Sequence, residues 1–329
     1  MVVSEVSGKI LMIGLLLFFV FLKKDLYWIF GAVAVEGILY FLIMAGFARQ
    51  YFRWKLSADK QVWKETLKRS WPIALSICFN LIYLRTDTII LSLTRTTAEV
   101  GLYSAAYRII DVLTMLPAVF MGLALPVITK YFSENRKAEL NNLLQKSFDS
   151  LLIFTLPIIF GVWIIGRPLM ALIGGNEFVA SGDILKVLIV ASGFIFMTSL
   201  FTYSAVGIKK QKSMMIGFLL AAVLTLAGYL MLIPKYGVWA ASGMTVFSEL
   251  FVMIWSAVLV CFSLKFKPNF GNFWRIFCAS IFMASVLYWL SFLNIGFLLI
   301  IATVAYFAAL YLLGGIQKSK IISILNLKN

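Results

Sequence analysis

Residues 214–233 read Met214-Met215-Ile216-Gly217-Phe218-Leu219-Leu220-Ala221-Ala222-Val223-Leu224-Thr225-Leu226-Ala227-Gly228-Tyr229-Leu230-Met231-Leu232-Ile233, an unbroken run without a charged side chain. At 1.5 Å per residue, a helix of that length is about 30 Å long, which is the thickness of a bilayer's hydrocarbon core. The run is apolar on every face. A barrel strand would instead alternate over about ten residues. Its flanks are polar, with Lys209, Lys210 and Lys212 before it and Pro234-Lys235-Tyr236-Gly237 after it.

Nine further runs are of similar length and mainly apolar, at 5–22, 26–46, 71–93, 104–129, 148–166, 184–206, 238–263, 273–292 and 295–315. The expected fold class is therefore all-α, a polytopic integral membrane bundle of about ten transmembrane helices. Composition agrees: 62% of the 329 residues are apolar, 13% are charged and the mean hydropathy is +0.97. A soluble domain holds roughly 45–50% apolar and about 25% charged residues. So few charges cannot cover a soluble surface of this size.

The chain contains no histidine, which removes Ser-His-Asp, Cys-His and His-ligated metal chemistry. Cys78, Cys261 and Cys278 lie in apolar runs and form no C-x-x-C pair, so they read as small buried hydrophobes. No catalytic residue, metal site or cofactor is expected. The loops between spans are short, the longest covering 47–70, and none is large enough for a catalytic domain.

Net charge is +15, and its distribution decides its meaning. The connections after the second, fourth, sixth and eighth spans, with the tail, hold Arg49, Arg53, Lys55, Lys60, Lys64, Lys68, Arg69, Lys130, Arg136, Lys137, Lys146, Lys209, Lys210, Lys212, Lys265, Lys267, Arg275, Lys318, Lys320 and Lys328. The alternate connections hold only Lys23, Lys24, Arg95, Arg167 and Lys235. By the positive-inside rule both termini are expected in the cytoplasm. The charge then serves topology and attraction to anionic membrane lipids, and no nucleic-acid partner is expected. Within Leu56–Trp71, Trp63 and Leu67 lie one turn apart among lysines, which suits either an amphipathic surface helix or a solvated linker.

Ionisable groups inside spans are expensive and normally face a protein interior or an aqueous cavity. They are Glu36, Arg85, Asp87, Arg108, Asp111, Asp149 and Glu249, with Lys186 near a span's start. Arg85 is deepest. Arg85 and Asp87 point about 200° apart on a helix and are not expected to pair. Asn80, Tyr83 and Asp87 fall at helical spacing and define one polar stripe, suited to the wall of a water-filled cleft. Arg108 and Asp111 share a face. They read either as an ion pair with snorkelling side chains or as a polar lining that touches an anionic substrate. Pro117, Pro126 and Pro157 interrupt spans and can kink them, as in rocking transporters and in static membrane proteins alike. The small residues of Gly237-Val238-Trp239-Ala240-Ala241-Ser242-Gly243 suit close helix packing.

Several of these strings carry a resemblance. Trp71-Pro72-Ile73-Ala74-Leu75-Ser76 followed by Ile82-Tyr83-Leu84-Arg85-Thr86-Asp87 resembles the seventh span of O-antigen-type polysaccharide flippases, within the multidrug/oligosaccharidyl-lipid/polysaccharide exporter superfamily. Glu99-Val100-Gly101-Leu102-Tyr103-Ser104-Ala105-Ala106-Tyr107-Arg108 resembles the next connection of that family. Leu232-Ile233-Pro234-Lys235-Tyr236-Gly237 resembles its eleventh-to-twelfth hairpin, and Gly174-Gly175-Asn176-Glu177-Phe178 the outer loop after its ninth span.

The resemblance implies a domain plan. Residues 1–46 would be the last two helices of an incomplete N-terminal lobe, 47–70 a basic cytoplasmic linker, and 71–263 a six-helix C-terminal lobe. Residues 264–329 would add two helices and a basic tail. The family's first four helices would be missing, as in a fragment of a longer gene or a non-transporting scaffold subunit.

It also implies a function: translocation of an undecaprenyl-pyrophosphate-linked oligosaccharide across the inner membrane by alternating access, in polysaccharide biosynthesis. Implied partners are that lipid-linked oligosaccharide, membrane lipids, a coupling cation (H+ or Na+), a polysaccharide polymerase and glycosyltransferases. Arg85 would contact the pyrophosphate in the cavity and Arg108 would help nearer the outer mouth. Asp87 and Asp111 would orient the arginines or bind the cation, beside Asn80 and Tyr83. Alternatives are a lipid II flippase and a drug–cation antiporter of the same superfamily. A membrane enzyme would need a catalytic acid or base cluster at one face, and the loops offer none.

Overall fold

The computed structural model describes residues 2–51 and 59–315. Arg53, Lys55, the stretch from Leu56 to Ala58, and the tail lysines Lys318, Lys320 and Lys328 lie outside the described residues. Every regular element among the described residues is helical. The chain divides into two compact units, Met1–Lys68 and Arg69–Asn329.

In the first unit, α1 (Val2–Phe21) packs against α2 (Leu26–Tyr51). The short link between them turns through Lys23, whose φ is +50°. Glu36, an acidic group within an apolar helix, is compensated: Lys9 Nζ lies 3.1 Å from its Oε1. Gly8 makes room for this, because a Cβ there would sit 3.3 Å from Glu36 Cγ. The unit ends in the first turns of α3 (Lys60–Thr94), which starts without a break in the basic stretch and leaves Trp63 and Leu67 exposed.

The second unit holds the rest of α3, then α4 (Thr97–Ser133), α5 (Lys137–Gly174), a 3-10 turn at Asn176–Phe178, α6 (Ser181–Gly207), α7 (Gln211–Tyr236), α8 (Val238–Leu264), α9 (Phe273–Trp289) and α10 (Ile295–Leu312). Thr96 caps α4, its hydroxyl accepting from the Glu99 amide at 3.3 Å. The most buried helix is α6, which packs on α4, α5 and α8; α7 lies on α8, and α9 joins α5 to α10. Small residues allow the close approach. A Cβ on Gly182 of α6 would meet the Arg167 Cα of α5 at 2.5 Å, so only glycine fits that crossing. Asp149 takes hydrogen bonds from Gln145 and Asn272, each at 3.0 Å, and so ties α5 to the start of α9.

Among the described residues, eight helices are long and apolar enough to cross a membrane, and Ser7–Phe21 and α9 are shorter apolar helices. The 17 residues of α9 rise only about 25 Å. Conversely, α4 and α5 run for 37 and 38 residues, well past the expected limits of 104–129 and 148–166. Apolarity marks only the stretch that tolerates hydrocarbon, whereas the backbone ladder continues into the polar ends. Pro117, Pro126 and Pro157 lie inside these helices without ending them.

Candidate functional site

The polar stripe of α3 is built from residues one or two turns apart. Asn80 Nδ2 donates to the Tyr83 hydroxyl at 2.6 Å, and Tyr83 is 1% exposed. One turn further on, Asp87 is wholly buried. Its carboxylate accepts from the Thr88 amide at 2.5 Å, from the Thr88 hydroxyl at 3.2 Å, and from the Tyr103 hydroxyl of α4.

This bond opens a chain of hydroxyls across three more helices. Tyr103 lies 3.5 Å from Thr245 Oγ1 of α8, and Tyr229 of α7 lies 3.2 Å from the same atom. Tyr229 donates in turn to the main-chain carbonyl of Tyr83 at 2.9 Å. A buried carboxylate is tolerated when its lone pairs are met in this way.

Arg85 points elsewhere, as its spacing from Asp87 predicts. Its Nη2 lies 3.0 Å from Asp111 Oδ1 of α4, with side-chain exposures of 54% and 29%. Its guanidinium lies over the Tyr107 ring, 5.4 Å from the centroid. Arg85 is nine residues from the end of α3, so it is about 13 Å below that end.

Arg85 and Asp111 border a cavity of about 240 Å³ between α3, α4, α6, α7 and α8. Asn80, Tyr83 and Tyr107 line it with them, and so do Thr198, Ser199, Thr202 and Tyr203 of α6 and Glu249 of α8. Glu249 is 2% exposed, with its carboxyl beside the Tyr83 hydroxyl.

Four of the six residues expected at the site therefore meet at one cavity: Asn80, Tyr83, Arg85 and Asp111. Asp87 and Arg108 are not in its lining. Asp87 is held in the hydroxyl chain behind it. Arg108 is exposed and does not pair with Asp111, because Arg85 takes that carboxylate from the neighbouring helix. Nor is Arg108 near the helix end: α4 starts at Thr97, which sets Arg108 about 16 Å in.

The wall contributed by α6 was not foreseen. Thr198 and Thr202 sit one turn apart in an apolar span, and that spacing was their only signal. Both hydroxyls are buried without a hydrogen-bond partner. A larger cavity of about 340 Å³ between α4, α5, α9 and α10 is lined almost wholly by apolar side chains and holds no ionisable carboxylate or cation. The polar cavity is the better candidate for binding a polar headgroup.

The family model described as "Polysaccharide biosynthesis protein" matches residues 1–132, and the MatE family model matches residues 72–231. No curated protein sequence matches the chain. Among solved structures, the chain is similar to one described as "Lipid II flippase MurJ, inward closed conformation". The TM-score is 0.76 at 16% identity, covering 97% of this chain and 67% of that one. At that identity the likeness concerns the fold.

Proposed function

We propose that this chain, which belongs to the multidrug/oligosaccharidyl-lipid/polysaccharide exporter superfamily and is a multi-pass protein of the inner membrane, flips a lipid-linked oligosaccharide between leaflets. The cargo is an oligosaccharide on undecaprenyl pyrophosphate, destined for a surface polysaccharide, and the movement is alternating access without covalent chemistry.

One observation carries the reading. Arg85 lies far from the end of its helix, beside a cavity, and is engaged by a single carboxylate oxygen. A diphosphate leaving water needs charge compensation, and a guanidinium supplies a fixed fork of donors for it. Asp111 holds Arg85 until the diphosphate arrives, and Tyr107 supports the guanidinium from below. The matched families and the structural neighbour are transporters, which fits a translocating role. The same superfamily includes exporters of cationic drugs, but an arginine at the cavity repels such cargo. A lipid II cargo shares the polyprenyl diphosphate and differs in its sugars and peptide.

The test is export of the lipid-linked sugar in cells that depend on this protein, comparing Arg85→Ala with the parent at matched protein level. We expect export to fall at least tenfold. Unchanged export removes Arg85 from the mechanism.

A further inference from the structure

The α6 wall of the cavity contains hydroxyls that the fold itself does not use. A helical threonine ordinarily returns its hydroxyl to the carbonyl one turn back. This chain follows that habit at Thr155, which donates to Leu151 O at 2.8 Å, and at Thr245, which donates to Ala241 O at 3.0 Å. Thr129 and Thr303 do the same, at 2.9 and 2.8 Å. Thr198 and Thr202 do not; neither hydroxyl has a partner, and Thr198 is only 8% exposed. A buried hydroxyl without a partner is a standing cost to the fold. Both line the cavity, where Glu249, itself 2% exposed, adds a carboxyl.

Resting on the flippase reading, we propose that Thr198, Thr202 and Glu249 form a subsite for sugar hydroxyls, which recognises the glycan residue next to the diphosphate. The two kinds of wall divide the work. Arg85 stands on α3 for the anion. The α6 threonines offer neutral groups that donate and accept at once, as sugar hydroxyls do. Tyr107, Tyr203 and Phe218 supply flat apolar faces around them. The cavity's roughly 240 Å³ has room for one sugar ring.

The prediction separates sugar recognition from diphosphate recognition. Binding of two probes to the purified full chain in lipid nanodiscs is measured: polyprenyl diphosphate carrying one N-acetylhexosamine, and polyprenyl diphosphate alone. The parent is expected to prefer the sugar-bearing probe about tenfold, which is 1.4 kcal/mol. The double variant Thr198→Val, Thr202→Val loses that preference and keeps its affinity for the bare diphosphate. It should unfold no more readily than the parent, because the hydroxyls it removes have no partner in the fold. Thr198→Ser with Thr202→Ser retains the preference. Arg85→Gln weakens both probes alike. If the parent binds neither probe, the flippase reading fails, and the subsite with it. If it binds both probes and the valine variant keeps the preference, the subsite alone is overturned. A parent that binds both equally overturns the subsite as well, leaving the hydroxyls to water.

Discussion

Arg85 Nη2 reaches across from α3 to Asp111 Oδ1 at 3.0 Å, while Arg108, one turn before Asp111 on the same helix, leaves that carboxylate alone. On the proposed function, Asp111 is the counter-ion that the incoming diphosphate would displace. Half-exposed ion pairs of this kind add only about 0–1 kcal/mol to stability. Asp111→Asn should therefore shift the thermal midpoint little. It should lower the apparent KM for lipid-linked sugar by up to about fivefold, the factor that ~1 kcal/mol of lost competition is worth. Initial flipping rates against substrate concentration in proteoliposomes measure this. A raised KM would mean that Asp111 binds cargo rather than competing with it.

Tyr103→Phe tests the hydroxyl chain behind the cavity. It removes the side-chain donor that α4 offers to Asp87, a group without solvent access. The expected loss is about 1–3 kcal/mol, the usual cost of a buried polar group left short of a partner. Chemical denaturation in detergent gives the number. A loss no larger than that from Tyr40→Phe in α2 would count against the network.

Gly182→Ala tests the α5–α6 crossing. The added methyl would stand 2.5 Å from Arg167 Cα and 2.6 Å from its amide nitrogen, both main-chain atoms that cannot swing aside. Overpacking of this sort costs about 1–3 kcal/mol. Gly243→Ala, whose Cβ would meet nothing within 4 Å, is the matched control and should be neutral.

Arg95 holds the end of α7. Its Nη2 donates to Pro234 O at 2.9 Å, in the last turn of the helix, and at 3.3 Å to Ile233 O, which also accepts from the Gly237 amide at 2.8 Å. Arg95→Ala should cost about 1 kcal/mol and speed hydrogen exchange around Gly237, whose φ of +59° makes the turn. Exchange unchanged at that hairpin would show that the turn holds itself.

Much of the helical plan is legible because hydrocarbon admits only helices and closed barrels, and a long run that is apolar on every face fits only the helix. The limits of α4 and α5 were not legible, since polar helix ends do not differ in composition from loops. Within the site, the spacing of Asn80 and Tyr83 already put them on one face, and the angle between Arg85 and Asp87 already separated those two. What spacing along one helix cannot reveal is a partner on another. Sequence spacing therefore makes Asp111 available to Arg108 and Asp87 a cavity-lining group, whereas Arg85 and Tyr103, on neighbouring helices, take them. Thr198 and Thr202 were invisible for the same reason: an unused hydroxyl is defined by neighbours.

The bond from the Tyr229 hydroxyl to the carbonyl of Tyr83, with Thr245 close behind it, has a mechanical meaning. It fastens the middle of α3 to the α7–α8 hairpin inside the apolar layer, where no water can substitute for a broken contact. In the proposed alternating-access movement, a swing of α3 away from that hairpin would first have to break this buried bond.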